Sequence, residues 1–486
     1  MEKINLFAGG DRVHISVLGI DGVHRLDQAA KRILAETGVD IPHEEMRSLF
    51  VKAGAAPDAG SNRIRIPHEL VDECLAAAGK SFTIYGRDRT RTASFGIGKR
   101  NYNSTAGQAY WLDRDGRRRF CTLDDVRQAT MLGDVLPRLT IVGAMADPLE
   151  IDAAWRCVEV AATMLRLTTK PIMFWYHDRK SAAWVNELFL LLAGDCEQLA
   201  RYPFAYPFLE PISPLRFPEK GIDVLFETCK IPLPVPIGPM AQVGLSAPAT
   251  LAGTLAQETA EILAGVCVTQ LIHAGTPVCF GGIPHAFDMR TTQLIFAGPE
   301  QALMAVAMAE MGKYYGLPVY LNVGLTDSKI VDAQAGLEIG STLLMGALSG
   351  ADIFGHLGIA GVDQAASLEM LLFQHEVIEY IERIMNEFEV NDDTIALELI
   401  QRLGPGGNFI AEEHTLRFFR QEVWTPSLLN RDYWETWESK GRKTILDQVR
   451  DRLAQLADTY EPHPLDRDQE REIDKIVEKA RKDLSR

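Results

Sequence analysis

Between Asn101 and Asp363 the chain keeps returning to one pattern: a short apolar or aromatic run opened by Pro or Gly, a polar tip, then an amphipathic stretch with helical spacing. The clearest units are "TPVCFGGIPHAFD" followed by 299–315, "LPVYLNVGLTDSK" followed by 332–348, and "ADIFGHLGIAGVD" followed by 366–388. Upstream, "NYNSTAGQAYWLD", "RLTIVGAMAD", "KPIMFWYHD", "RYPFAYPFLEPIS" and "IPLPVPIGPMAQVG" precede helical segments in the same way. Eight strands, each followed by a helix, predict parallel crossovers and an α/β fold closed as a (β/α)8 barrel. An open sheet that binds a dinucleotide would want GxGxxG after its first strand, and that fingerprint is absent. The glycines of "GPGGNF" (404–409) follow a helical stretch and are expected to end it.

This pattern sets the expected domains: a helical cap over residues 1–98, the barrel over 99–388, and a helical extension over 389–486. Within the cap, Asp21 to Gly79 reads as small helices, one of them opened by Pro67. The extension carries Phe418, Phe419, Trp424, Tyr433, Trp434 and Trp437, expected to clamp it onto the barrel, and ends in a charged stretch that reads as a solvated helix.

Composition narrows the partners. With 486 residues, 47% of them hydrophobic, the chain can bury a large core, and 50 basic against 66 acidic residues give a net charge of -16. That charge repels phosphate backbones and anionic lipid, so neither nucleic acid nor membrane is an expected partner. The start, "MEKINLFAGGDRVHI", has no apolar core after a basic opening, and no apolar run approaches a membrane span, which points to a cytoplasmic protein. A homo-oligomer is the expected state. The seven cysteines are scattered without CxxC, so neither a disulfide framework nor a thiolate zinc site is suggested; Cys279, inside a strand, is expected to be core.

In a barrel the chemistry sits where strands run into helices. At one such joint Thr326, Asp327, Ser328 and Lys329 crowd together just after Asn322. One acceptor among Thr326, Asp327 and Asp332 is needed to cap the next helix, which leaves the others free to bind. The same rule applied to every tip collects a wide, largely aromatic and lightly charged set, including Trp175 and Glu210. From it Tyr102, Tyr176, Phe208 and Phe354 are expected to form a cage, with His285, Asn322 and His356 binding a substrate carboxylate or ordering water near it and Asp327 orienting the turn or touching the cation. Several aromatic faces around one cavity make a receptor for a cation such as a quaternary ammonium. No HExxH or paired His/Cys spacing supports a metal, and no GxSxG supports a serine hydrolase.

The stretches "PIGPMAQVGLSAPATLAG", "GLTDSKIVDAQAGLEIG", "GADIFGHLGIAG" and "GPGGNFIAEEHTLRFFRQEVWTP", in the same order along nearly the whole chain, resemble the trimethylamine methyltransferase family. The resemblance implies a TIM barrel that moves a methyl group from an amine to the Co(I) of a corrinoid held on a separate small protein, with no cofactor tightly bound to this chain. The trimethylamine enzymes of that family carry pyrrolysine near the tip corresponding to "GLTDSK", whereas here the stretch around Leu325 has only standard residues. That departure is similar to the family's quaternary-amine members, and implies glycine betaine as the expected donor, with direct in-line displacement and no acid or base catalyst. A non-catalytic betaine-binding sensor and a metal-dependent barrel lyase are the alternatives.

Overall fold

The computed structural model describes residues 14–231 and 233–485. The expectation drawn from the start of the chain therefore lies almost wholly outside the described residues. Seven parallel strands, Asn101–Ser104, Leu139–Gly143, Ile172–Met173, Val235–Ile237, Val278–Gly282, Val319–Leu321 and Ile353–Leu357, form one sheet. Each pairs with its neighbour in chain order, and the last pairs back onto the first. Only the gap between Ile172–Met173 and Val235–Ile237 has no regular strand.

The segment 205–209 fills that gap. Ala205 bridges Ile172 on one side and Leu209 bridges Ile237 on the other, both in parallel sense. Leu209 N donates to Pro236 O and Gly238 N donates to Leu209 O, each at 3.0 Å. Pro203 and Pro207 lack the N–H that a regular ladder needs, so the fourth stave contributes bridges rather than a strand. All eight runs picked out by hydrophobic patterning thus take their places around the barrel.

An antiparallel hairpin, Phe82–Tyr85 with Thr92–Phe95, plugs the interior from below. Its Phe82, Ile84, Ala93 and Phe95 pack against Ile141, Met173, Tyr206, Cys279, Tyr320 and Ile353, which the strands send inward. Cys279 is core: burial pushes its thiol well above the ordinary range. Helix Leu251–Ile272 buries residues all round because the N-terminal helices Gly19–Arg32 and His68–Ala77 cover its outer face. The N-terminal region is not only helical. It also holds a three-stranded antiparallel sheet of Val39–Asp40, Ala56–Pro57 and Arg63–Arg65, where buried Ile64 between exposed Arg63 and Arg65 is a period-2 signal too short to stand out.

The C-terminal extension departs further from expectation. Phe419, Tyr433 and Trp434 are exposed and clamp nothing. Trp424 alone of the aromatic set makes an edge contact with the barrel's last helix, through Tyr380 at 5.5 Å. The attachment is polar: buried Glu376 accepts from the backbone N–H groups of Ser427, Leu428 and Leu429 and from the Ser427 hydroxyl. Beyond it, helices Ile445–Ala457 and Arg467–Leu484 pack on Leu368–Met385 and Arg179–Ala193 respectively. Gly404, with φ of 64°, ends the helix Leu397–Leu403.

The first strand is fastened to the last helix through Tyr102, whose hydroxyl donates to Glu382 Oε1 at 2.5 Å, while Arg100 Nε donates to the same oxygen at 2.7 Å. Burial pushes the Glu382 carboxyl up, but the hydrogen bonds from Arg100 and Tyr102 and the guanidinium charge outweigh it and hold the group below its ordinary value. The unfolded chain binds that proton more readily, so this contribution is fully present above the ordinary Glu range and is lost as pH falls through it. Glu382→Gln should cost about 1–3 kcal/mol at neutral pH in denaturant unfolding. The wild type should then lose stability faster than the variant as pH drops below about 4.5; equal slopes would show that the group does not carry this charge.

Candidate active site at the strand tips

At the C-terminal ends of the staves, Gln108, Trp175, Phe208, Glu210, Met240, Ile283, Phe296, Asn322, His356 and Asp363 line a cavity of about 70 Å³. One water needs roughly 10–15 Å³ of such space, so about five fit. A small amine is the scale of ligand that enters; a macrocycle is not. A larger hollow of about 520 Å³ lies between the strand Tyr110–Leu112 and helix Ile445–Ala457, where Arg119 is already tied to Asp113 and Asp125.

Strand alternation decides which side chains reach the cavity. Tyr206, Phe208 and Glu210 succeed one another up the fourth stave, the first in the barrel core and the other two at the cavity. Trp175 follows Met173 in the same way, and Asn322 follows Tyr320. Strand Ile353–Leu357 breaks the rule. Its pairing with the first strand shifts register between Phe354 and Leu357, and His356 takes a φ of 66°. This bulge brings the imidazole to the cavity from a position that would otherwise face the helices.

The walls are aromatic. Trp175 and Phe208 stand edge to face with centroids 6.4 Å apart, and His356 lies 6.5 Å from Trp175 and 6.2 Å from Phe208. Trp175 Nε1–H donates to Gly107 O at 2.9 Å, which fixes the indole. Two glycines make room for rings: a Cβ on Gly238 would lie 2.7 Å from Phe208 Cζ, and one on Gly355 would lie 1.6 Å from the Tyr320 hydroxyl oxygen.

A polar chain runs beside the rings. His356 Nδ1 lies 2.9 Å from Asn322 Oδ1 and 3.2 Å from the Tyr320 hydroxyl, and Asn322 Nδ2 lies 3.4 Å from His285 Nε2. A consistent assignment has His356 Nδ1–H donating to Asn322 Oδ1 and Asn322 Nδ2–H donating to His285 Nε2. Burial lowers His356 to about 4. Burial, then the neighbouring His356, lowers His285 to about 3. Both imidazoles are neutral at ordinary pH.

Of the eight residues expected at the site, Phe208, Asn322 and His356 line the cavity, and His285 stands behind Asn322. Tyr102 and Phe354 stack on each other at 5.1 Å on the helix-facing side of the barrel wall. Tyr176 packs beside Phe174 in the same outer layer. These three have the wrong strand parity for the cavity. Asp327 does not line it either; its Oδ1 accepts from Phe296 N at 2.9 Å, and Phe296, stacked 4.8 Å from His285, forms part of the wall. The polar turn is mostly self-bonded, with Thr326 and Asp327 N both donating to Glu338 Oε2 and Asp332 capping the helix Ala333–Ser349. Trp175 and Glu210 belong to the wide set of strand-tip residues, whereas Gln108, Met240, Ile283, Phe296 and Asp363 carried no signal that singled them out.

A family model described as Trimethylamine methyltransferase (MTTB) matches residues 10–485. The chain is 28% identical over 453 residues to a glycine betaine methyltransferase of Desulfitobacterium hafniense (strain Y51), covering 93% of this chain and 94% of that one. It is 27% identical over 495 residues to the trimethylamine methyltransferase MttB of Methanosarcina barkeri (strain Fusaro / DSM 804), covering 99% of each. The crystal structure of the Methanosarcina barkeri monomethylamine methyltransferase (MtmB) superposes over 89% of this chain and 92% of its own, with 13% identity and a TM-score of 0.47.

The two buried imidazoles generate a test. The unfolded chain takes up protons at both below about pH 6.5, so stability falls as pH drops from there toward the folded values. In an NMR titration the ring signals of His285 and His356 should not move between about pH 5 and 8. A midpoint near the ordinary histidine value would show that these rings are not buried neutral.

Proposed function

Because the chain belongs to the trimethylamine methyltransferase (MTTB) family, we propose that it moves a methyl group from a quaternary amine to the Co(I) of a corrinoid carried by a separate protein. The observation that carries this reading is the donor-sized cavity walled by Trp175, Phe208 and His356 at the strand tips. The relative named for glycine betaine supports that compound as the reference donor.

A cavity of about 70 Å³ does not fit a corrinoid ring, which favours a cofactor presented at the mouth by a partner. When it docks, the corrinoid supplies the nucleophile. The rest of the task falls to this chain. The faces of Trp175 and Phe208 hold the methylated nitrogen, each contact worth about 0.5–2 kcal/mol depending on desolvation. The polar chain of Tyr320, His356 and Asn322 fixes the neighbouring wall so that one methyl is aimed outward. Orientation of this kind supplies up to about 7–11 kcal/mol in favourable systems. As the C–N bond breaks, its electron pair stays on nitrogen and the product leaves as a tertiary amine, so no general acid or base is required. Among the described residues no helix is long and apolar enough to cross a membrane. The setting in this reading is the cytoplasm, and the working form a homo-oligomer.

The test supplies purified protein with chemically reduced cob(I)alamin and one quaternary amine at a time, following cob(I)alamin absorbance and the demethylated amine by mass spectrometry. Enzyme-dependent demethylation of a quaternary amine is expected. No turnover with free cob(I)alamin or with a cognate corrinoid protein would end this reading. Trp175→Ala and Phe208→Ala should each lower kcat/KM about 2- to 30-fold, the equivalent of one cation–π contact.

A further inference from the structure

The cavity holds two carboxyl groups, Glu210 and Asp363, and neither lysine nor arginine is among its lining residues. Asp363 Oδ1 accepts from Gln108 Nε2 at 2.7 Å. Glu210 makes no hydrogen bond or ion pair among the described residues; Asp363 is its only charged neighbour. The loop that delivers Asp363 is strained, with Val362 and Asp363 at φ of 62° and 61°, a region that a β-branched residue rarely enters. Strain of about 1–3 kcal/mol per residue persists where the surroundings enforce it, commonly at ligand sites.

We propose that Glu210 and Asp363 are the counter-charge for the donor's ammonium group, so that the site selects quaternary ammonium compounds whose fourth substituent carries no anionic charge, such as a hydroxyalkyl or alkyl group. This rests on the methyltransferase reading and replaces glycine betaine, and the carboxylate-binding role expected of His285, Asn322 and His356, with a donor that carries no carboxylate. A zwitterionic donor would bring its own carboxylate into the same 70 Å³ as two acids. The neutral donors there are already engaged, Gln108 with Asp363 and Asn322 with His285. One acid would have to stay protonated to admit it. An ammonium ion reverses that demand, because it favours the ionised form of both.

The acids titrate where this choice can be observed. Glu210 is exposed as a residue, yet the protein packed around its carboxyl, with Asp363 second, pushes it up to about 7. Burial pushes Asp363 up to about 6, against the hydrogen bond from Gln108. The other titratable group on the cavity, His356, is neutral throughout this range, as is His285 behind it. Affinity for a purely cationic donor therefore rises with pH from about 6 to 8, and affinity for a zwitterion falls.

The test measures binding of choline, tetramethylammonium and glycine betaine by calorimetry at pH 6 and 8, and methyl transfer from each, for the wild type and for Glu210→Gln and Asp363→Asn. At pH 8 the two cationic compounds should bind at least about tenfold more tightly than glycine betaine, and Glu210→Gln should weaken them at least about tenfold while leaving glycine betaine unchanged or improved. If the variants do not fold, the opposite pH slopes of the wild type carry the test alone. Tighter binding of glycine betaine at pH 8, or equal loss of all three ligands in Glu210→Gln, overturns the charge selection while methyl transfer keeps the enzyme reading intact. Tight binding of choline without transfer from any donor overturns the enzyme reading and leaves the charge selection standing.

Discussion

The hydrogen-bond chain from His285 through Asn322 and His356 to the Tyr320 hydroxyl sets the terms for everything around it. It lies at the top of a barrel whose interior below is packed with Ile141, Met173, Tyr206, Cys279 and Ile353, so on that side its polar atoms meet no water and bond to one another. Neutral imidazoles suit that condition: His356 Nδ1 and His285 Nε2 each bond to Asn322, while burial disfavours the charged form of both rings. The chain therefore fixes protonation as well as geometry. Gly355 exists at its position because the Tyr320 hydroxyl occupies the volume a Cβ would need. The bulge in Ile353–Leu357 exists because His356 has to face Asn322 rather than the helices.

The same constraint organises the cavity wall. Beside Asn322 most of the wall is apolar or aromatic, supplied by Trp175, Phe208, Met240, Ile283 and Phe296. Their positions are secured from outside the cavity: Gly107 O holds the indole, Gly238 makes room for Phe208, and Asp327 holds the backbone N–H of Phe296. The polar turn at 326–329 thus serves the site at one remove, as a brace for an aromatic wall.

The fold was legible because six of the eight staves follow a Pro directly or within one residue and most carry an apolar run; the first, Asn101–Ser104, is polar and was placed by the rhythm of the others. Even the fourth could be read, although Pro203 and Pro207 prevent a regular strand there. The site was legible only to the precision of one residue, and in a strand one residue reverses the face. Tyr102, Tyr176 and Phe354 sit at the right tips with the wrong parity, while Trp175, next to Tyr176, has the right one. Counting by twos from Phe208 would have reached Glu210. No such count finds His356, because the bulge lies in its own strand, nor Gln108, Phe296 and Asp363, which come from loops whose paths depend on tertiary contacts. The exposed aromatics of the C-terminal extension misled for a related reason: composition shows that an aromatic surface exists, not which way it faces.

A tension remains between binding and rate, and the arrangement of rings and acids resolves it. The positive charge on a quaternary nitrogen disappears as its methyl group departs, so any interaction specific to that charge stabilises the bound donor more than the transition state and slows the step. Two fully ionised carboxylates in a small cavity would act strongly in that direction. Rings exert a weaker pull and also pack against the methyl groups, a contact that survives the loss of charge. Glu210 and Asp363, pushed up to about 7 and about 6, are only partly committed to the ionised state near neutrality. A cation must first draw them into the ionised state, and the cost of doing so is subtracted from its affinity, so the donor is held less firmly than two preformed carboxylates would hold it. Acids held near neutrality by burial can thus select a cation without binding it so firmly that the methyl group is held back.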